Sequence, residues 1–264
     1  MRILKMMGLL VGLAFGGTTV TKEDRLFVKE MESIKVNLGL GSDLTIKETA
    51  SVFRYIESNG RYDIGKSKNS SASGAYQIIS KTRKMIISKK LKAYNGGYIT
   101  NRNWLKPRNQ DILFRWYLKH QRKLGRNVVK KNSVLTDYMR WNAGVTGGRR
   151  MINTILGKKI IVYTKGRFNI IRKNMVRRDI RKLRRYFMIK LKILAKKYKF
   201  KHNLKFFRVS GKYAKISDYR FMLGLNVKNK KRYRKLLNEG LRVNVLLWGK
   251  HFEQKVDYCL KRLR

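Results

Sequence analysis

The chain has 264 residues, with 65 Lys and Arg against 15 Asp and Glu, a formal charge of +50. That length is enough for one or two domains with a real core, and so strong a self-repulsion calls for a polyanionic partner: nucleic acid, anionic lipid or an acidic wall polymer. The single cysteine, Cys259, excludes an intramolecular disulfide, and His120, His202 and His251 show no ligand spacing, so neither a metal nor another cofactor is expected.

Met1 to Val20 opens with a basic Met-Arg-Ile-Leu-Lys, continues as an apolar run from Met6 to Gly17 and ends in small polar residues. A cleaved secretory signal fits this pattern, with Ala14-Phe15-Gly16 as its cleavage region. The equal alternative is a retained, membrane-active segment, because Gly8, Gly12 and Gly16 fall at the spacing that lets apolar helices approach closely. Thr45-Ile46-Lys47-Glu48 then forms a capping box, which predicts a helix starting at that point. Val52, Phe53 and Ile56 follow at helical spacing, facing a core and placing Glu57 at the buried edge of the helix end. Asn59-Gly60 breaks the helix. The Ser-, Asn- and Gly-rich stretch from Arg61 to Ser73 reads as a polar loop, and the apolar pattern from Ala75 to Ile79 leads into a second helix.

Further helices are predicted over 108–124, 134–141 and 147–156, and Ile160 to Thr164 is β-prone enough for a short strand. Asn174 to Tyr198 reads as a helix charged over most of its surface. From Phe206 onward aromatic and basic residues interleave, as in Phe206-Phe207-Arg208 and Tyr219-Arg220-Phe221. The only proline is Pro107 and no repeat is evident, so a boundary is placed in the 157–166 stretch, by Gly157 and Gly166. Both parts are basic: residues 1–150 carry 30 basic and 10 acidic side chains, and residues 151–264 carry 35 and 5. A codon-level bias toward Lys, Ile and Asn is the alternative source of part of this excess.

Carboxylates are scarce where chemistry would need them. Between Thr49 and Thr136 the only ones are Glu57, Asp63 and Asp111. Glu57-Ser58, followed by Ser70-Ser71-Ala72-Ser73-Gly74-Ala75-Tyr76-Gln77, resembles the lytic transglycosylase and goose-type lysozyme superfamily, in its shorter phage forms. The family pattern is Glu-Ser, a polar loop, then Ser-x-x-Gly-Ala-x-Gly-Leu-Met-Gln. Lys106-Pro107-Arg108-Asn109-Gln110-Asp111 is similar to the Pro-x-x-Gln-Asp start of a later helix, and Tyr138-Met139-Arg140-Trp141-Asn142-Ala143-Gly144 to the Ala-Tyr-Asn-Ala-Gly motif. The match spans roughly Asp43 to Ile155. It departs from the family where Trp141 replaces a tyrosine and where Gly-Leu-Met-Gln is shortened to Ala75-Tyr76-Gln77.

The resemblance implies a mainly α protein: a lysozyme-like domain over 43–156, with 1–20 as an apolar leader and 166–264 as a basic, largely helical extension. Glu57 would be the catalytic acid and base for the β-1,4 bond between N-acetylmuramic acid and N-acetylglucosamine of peptidoglycan. Ser73 (or, as the alternative, Ser71), Tyr76, Gln77, Tyr138, Trp141 and Asn142 would bind substrate. Hydrolysis normally needs a second carboxylate, for which Asp63 is the one near in sequence. The family's transglycosylases use a single Glu, which suits this chain better. An apolar wall of Phe53, Ile56 and Tyr76 has to keep that acid protonated against the surrounding positive charge. A phage virion, from which the protein is delivered to the host periplasm or wall, is the favoured setting, with the extension against DNA or virion proteins and residues 1–20 against membrane. The rivals are a secreted wall-remodelling muramidase and a non-enzymatic nucleic-acid-binding or structural virion protein.

Overall fold

A computed structural model describes residues 19–66, 70–125, 132–158, 177–198, 204–208, 219–223 and 230–263. Residues 1–18 of the leader expected over 1–20, the expected strand at 160–164 and the helix start at 174–176 lie outside these residues. The protein is mainly helical: α1 (Lys22–Glu32), α2 (Ile46–Ser58), α3 (Ser80–Ile87), α4 (Pro107–Leu124), α5 (Val134–Ile155), α6 (Arg177–Tyr198) and α7 (Lys230–Leu263), with strands β1 (Leu204–Arg208) and β2 (Tyr219–Leu223). It forms two compact units, one of residues 1–34 and 161–247, the other of residues 35–160 and 248–264. One division falls inside the 157–166 stretch. The division at Leu247–Trp248 cuts within α7 and carries no composition signal.

In the first unit Thr21 caps α1 by accepting from the Asp24 N–H at 3.1 Å. Val28 and Met31 of α1, with Leu183, Tyr186, Phe187 and Leu191 of α6 and Leu236 and Val243 of α7, are buried. Their three- and four-residue spacing along α6 leaves Lys and Arg on the remaining faces. Tyr186 donates to Glu32 at 2.8 Å, and Lys190 pairs with Glu32 at 3.1 Å and Glu239 at 2.8 Å. Three of the chain's few carboxylates, Asp24, Glu32 and Glu239, thus offset cations inside this unit. β1 and β2 pair antiparallel in the register Phe206↔Phe221. Their aromatic-basic alternation suits a strand, in an extension expected to be largely helical.

In the second unit α2 starts at the predicted capping box, with Thr45 accepting from the Glu48 N–H and Glu48 reaching back to the Thr45 N–H. Such a cap contributes about 1 kcal/mol. The helix stops at Asn59, whose backbone is left-handed at φ 58°. Val52 and Phe53 are buried, while Ile56 is only half-buried. Pro107 begins α4, where its missing N–H costs nothing. Residues 134–155 are continuous in hydrogen bonding, but Gly144 (φ 70°, ψ 167°) interrupts the helical backbone, so the two helices expected over 134–141 and 147–156 meet at a kink. Arg122 and Arg140 both bind Asp137, at 2.6 and 3.1 Å. Asp137 and Arg140 are fully buried and Arg122 is part-exposed; the cluster ties α4 to α5, and deleting Asp137 or Arg140 would cost about 3–5 kcal/mol.

The last stretch of α7 completes this unit. Phe252, Val256, Cys259 and Leu260 are buried along one face. Glu253 accepts from the Asn37 N–H at 3.0 Å, and Gly249 leaves room for Val36, Ile155 and Met139.

Candidate functional site

Glu57 is the penultimate residue of α2 and is half-buried. Beneath it lies an aromatic cluster built from four helices and the loop before α3. Phe53, one turn earlier, meets Tyr138 at 5.4 Å and Trp141 at 6.0 Å, both edge to face. Phe114 of α4 stacks on Tyr76 at 4.1 Å and 8°, and presents its edge to Trp141 at 5.0 Å. Phe252 of α7 closes the cluster against Tyr138 at 5.2 Å.

This apolar floor decides the protonation of Glu57. Burial pushes its carboxyl above the ordinary glutamate range, against the opposing charge of Lys255 and hydrogen bonds from the side chains of Tyr138 and Trp141. Burial also raises the Tyr138 phenol, helped by the neighbouring Glu57 charge. The net charge of the chain is overruled locally, as a contact effect should overrule charges beyond a screening length of about 8 Å.

The other two carboxylates of this stretch are engaged elsewhere. Asp63 lies in the exposed loop and takes both guanidinium nitrogens of Arg61, at 3.0 and 2.9 Å. That pairing holds its pKa below the usual range. Asp111 accepts from the hydroxyls of Tyr62 and Tyr76, at 2.9 and 2.6 Å.

The loop between α2 and α3 is held by α4. Gln110, 1% exposed, accepts from the Ala75 N–H at 2.6 Å and donates to the carbonyls of Tyr62 and Leu105, at 3.2 and 2.6 Å. Gly74 turns at φ 74°, and a Cβ there would stand 2.5 Å from the Gln110 amide oxygen. Only glycine satisfies both the turn and the close approach. Ser73 bridges to Ile78 through backbone hydrogen bonds of 3.3 and 3.0 Å, which closes the loop into a narrow hairpin.

The residues expected to bind substrate fall into two groups. Ser73, Gln77, Trp141 and Asn142 are part-exposed, while Ser71, the alternative to Ser73, is exposed and accepts from the Ser80 N–H at 3.1 Å. Gln77 holds a left-handed backbone (φ 48°) with its side chain on the Gly74 carbonyl, and Asn142 donates to the Tyr138 carbonyl at 3.1 Å. Tyr76 and Tyr138 are corrections. At 1% and 2% exposure neither ring can meet a sugar. Tyr76 is a core residue that spends its hydroxyl on Asp111, and Tyr138 is a buried donor to Glu57. Trp141, which stands where the family has a tyrosine, lies close enough to Glu57 for its side chain to oppose the burial-driven rise of the carboxyl's pKa.

Sequence reasoning missed the contribution of α7 altogether. A groove of about 390 Å³ runs between the end of α2 and α7, lined by Tyr55, Ile56, Asn59, Lys255, Tyr258 and Cys259 among others. The repeat of Trp248, Phe252, Val256 and Leu260 signalled an amphipathic helix, but nothing in it named α2 as the surface it covers. Among the described residues no group of three or more His, Cys, Asp or Glu could hold a metal, and no helix is long and apolar enough to cross a membrane. Comparison of the chain with protein-family models, curated proteins and solved structures gave no match.

Proposed function

We propose that the protein is a peptidoglycan lytic transglycosylase in which Glu57 alone supplies acid and base. The observation that carries this reading is the setting of Glu57: a half-buried carboxyl over an aromatic floor that includes Tyr138 and Trp141, raised in pKa by burial, with Asp63 and Asp111 both engaged by other partners. Such an acid holds its proton nearer neutrality, as protonation of a glycosidic oxygen requires.

In the reaction the Glu57 proton passes to the oxygen linking muramic acid C1 to the next sugar, and the C1–O bond breaks. Positive charge develops at C1 and the ring oxygen. The carboxylate left behind then takes the proton of the C6 hydroxyl of the same muramic acid as that oxygen bonds to C1. The product is a 1,6-anhydro ring, no water is consumed, and Glu57 regains its proton. Tyr138 and Trp141 hold the carboxyl in place and stabilise the charge it carries between the two steps. The half-exposed Trp141 can also offer ring surface to a sugar.

The setting that suits this activity is a phage particle that opens the host wall during genome ejection. The basic residues of 166–264 would contact packaged DNA or virion proteins, and residues 1–20 would contact membrane. Digestion of purified sacculi followed by mass spectrometry of the released muropeptides tests the reading. Anhydro-muramyl products from the parent and none from a folded Glu57→Gln variant are expected. Reducing ends only would make it a hydrolase, and no release at all would favour a non-catalytic virion protein.

A further inference from the structure

We infer that the turn between α3 and α4 is a docking surface for an anionic lipid bilayer, formed by Tyr94, Tyr98 and Leu105 with the cations beside them. The inference is independent of Glu57 and of the basic extension over 166–264.

Apolar exposure marks the place, since exposed cations occur throughout so basic a chain. Three of the nine exposed large apolar side chains among the described residues fall within residues 94–105: Tyr94 at 63%, Tyr98 at 56% and Leu105 at 51% exposure. Apolar side chains gathered on a surface, rather than scattered singly, point to a binding partner. The local fold explains why they face outward. Lys92 and Tyr98 pair across a narrow antiparallel turn, and Ala93 and Ile99, the next residue along each arm, are buried with Ile86, Trp104 and Leu113. Alternation along an extended arm puts Lys92 and Tyr98 on the opposite, outer face.

A side-chain amide holds each of the three from behind. Asn109 accepts from the Tyr94 N–H at 3.1 Å, Asn103 donates to the Tyr98 carbonyl at 3.0 Å, and Gln110 donates to the Leu105 carbonyl at 2.6 Å. Asn109 in turn donates to the Asn103 carbonyl at 3.0 Å, which joins these attachments into one frame on the first turn of α4. Asn109 and Gln110 are themselves only 1% exposed. Apolar side chains displayed on so fixed a frame need little ordering to bind, which lowers the entropic cost.

Charge selects the partner. No carboxylate occurs between Asp63 and Asp111, and Asp111 is turned to the hydroxyls of Tyr62 and Tyr76. Lys92, Arg102, Lys106 and Arg108 are all exposed in the same turn and at the start of α4. Tyrosine and leucine among unopposed cations match a bilayer interface, where phenol rings lie at headgroup depth and each cation near an anionic surface contributes about fivefold in affinity. A nucleic acid fits less well: the Arg108 guanidinium already lies 3.7 Å over one face of Tyr94, and Leu105 offers no ring to a base. An acidic polymer without an apolar part would leave all three side chains in water.

Vesicle binding by the full chain is measured at about 0.3 M salt, so that remote positive charge is screened. The vesicles are phosphatidylcholine alone, or with phosphatidylglycerol at about one part in three. Two variants of unchanged net charge are compared: Tyr94→Ser, Tyr98→Ser and Leu105→Ser together, and as control Leu26→Ser, Leu124→Ser and Leu156→Ser, which alter exposed leucines outside the turn. The first should weaken binding to the anionic vesicles about tenfold or more, and the control by less than about twofold. An environment-sensitive dye on the exposed Asn95, introduced as Asn95→Cys in a chain carrying Cys259→Ala, reports on the turn itself whatever other segment holds the vesicle. Its emission should move to the blue on anionic vesicles and stay unchanged on neutral ones. Equal losses for the two variants, or a dye that does not shift, overturn the inference. If the first variant loses affinity for a single-stranded oligonucleotide as deeply as for vesicles, the surface is a nucleic-acid site and the lipid inference fails.

Discussion

Substituting Gly74 by alanine tests whether the loop facing Glu57 is held in the way the structure shows. At φ 74° an alanine pays about 1–2 kcal/mol for the left-handed backbone alone. Its Cβ would also stand 2.5 Å from the Gln110 amide oxygen and 3.2 Å from Trp104, so Gln110 must move. That side chain is 1% exposed and serves one N–H and two carbonyls, so groups it abandons cannot turn to water. A group left unsatisfied costs about 1–3 kcal/mol, which brings the expected total to about 2–5 kcal/mol. Gly96→Ala is the control, since Gly96 sits at φ 87° with nothing within 4 Å of its Cβ position. It should lose only the backbone part, about 1–2 kcal/mol. Urea denaturation of both variants gives the two numbers. Combining Gly74→Ala with Gln110→Ala should recover about 2 kcal/mol relative to additivity, because the clash partner is gone. Equal losses for Gly74→Ala and Gly96→Ala, or strict additivity in the double variant, would refute the pinning role of Gln110.

Because the folded pKa of Glu57 is raised, the folded state keeps a proton that the unfolded state has lost, and stability falls as pH rises from the unfolded value through the folded one. Glu57→Gln should therefore be more stable than the parent at neutral pH, with the gap closing as pH falls to the unfolded value; thermal melts across pH check this, and a gap that widens on acidification would reverse the sign. Asp63→Asn breaks only an exposed pair with Arg61, so sacculus digestion should stay within about twofold of the parent; a loss as deep as that of Glu57→Gln would instead indicate a two-carboxylate hydrolase. Phe252→Ala empties a fully packed site against Tyr138 and Trp248 and should cost about 3–5 kcal/mol in urea titrations, whereas a near-neutral result would mean that α7 does not close this core. The full chain should bind duplex DNA without sequence preference, with affinity falling in salt by a log–log slope of about −0.9 per phosphate neutralised; gel shifts at two salt concentrations show it, and salt-independent micromolar binding would contradict a phosphate surface.

Local chemistry made much of this legible. Thr45 and Glu48 announced the start of α2, Asn59-Gly60 its end and Pro107 the start of α4, because caps and breakers act within four residues. The placement of Glu57 followed from Val52 and Phe53, one turn before it. What sequence could not show was the depth to which a motif residue sinks. Tyr76 and Gln77 are neighbours, yet the ring of one stacks on Phe114 while the other is part-exposed, and that difference depends on α4. The same holds for α7: its apolar repeat could be read, but its seat beside α2, with some two hundred residues between them, is a long-range packing result. The β1–β2 ribbon lay in a segment whose mixed aromatic and basic residues suit helix and strand alike.

The second unit draws its residues from 35–160 and again from 248–264, and the intervening stretch belongs to the other unit. During synthesis the aromatic floor under Glu57 would be made early, but it would lack Phe252 and the far wall of the groove until the end of α7 left the ribosome. At about 5–20 residues per second, that delay is on the order of 5–20 s. Over that interval the nascent chain carries its acid and its loop without the helix that closes their core. A chain that stalls or is cut before Trp248 would therefore present a half-built core, so the surroundings of Glu57 are completed only after residues 248–264 have been made.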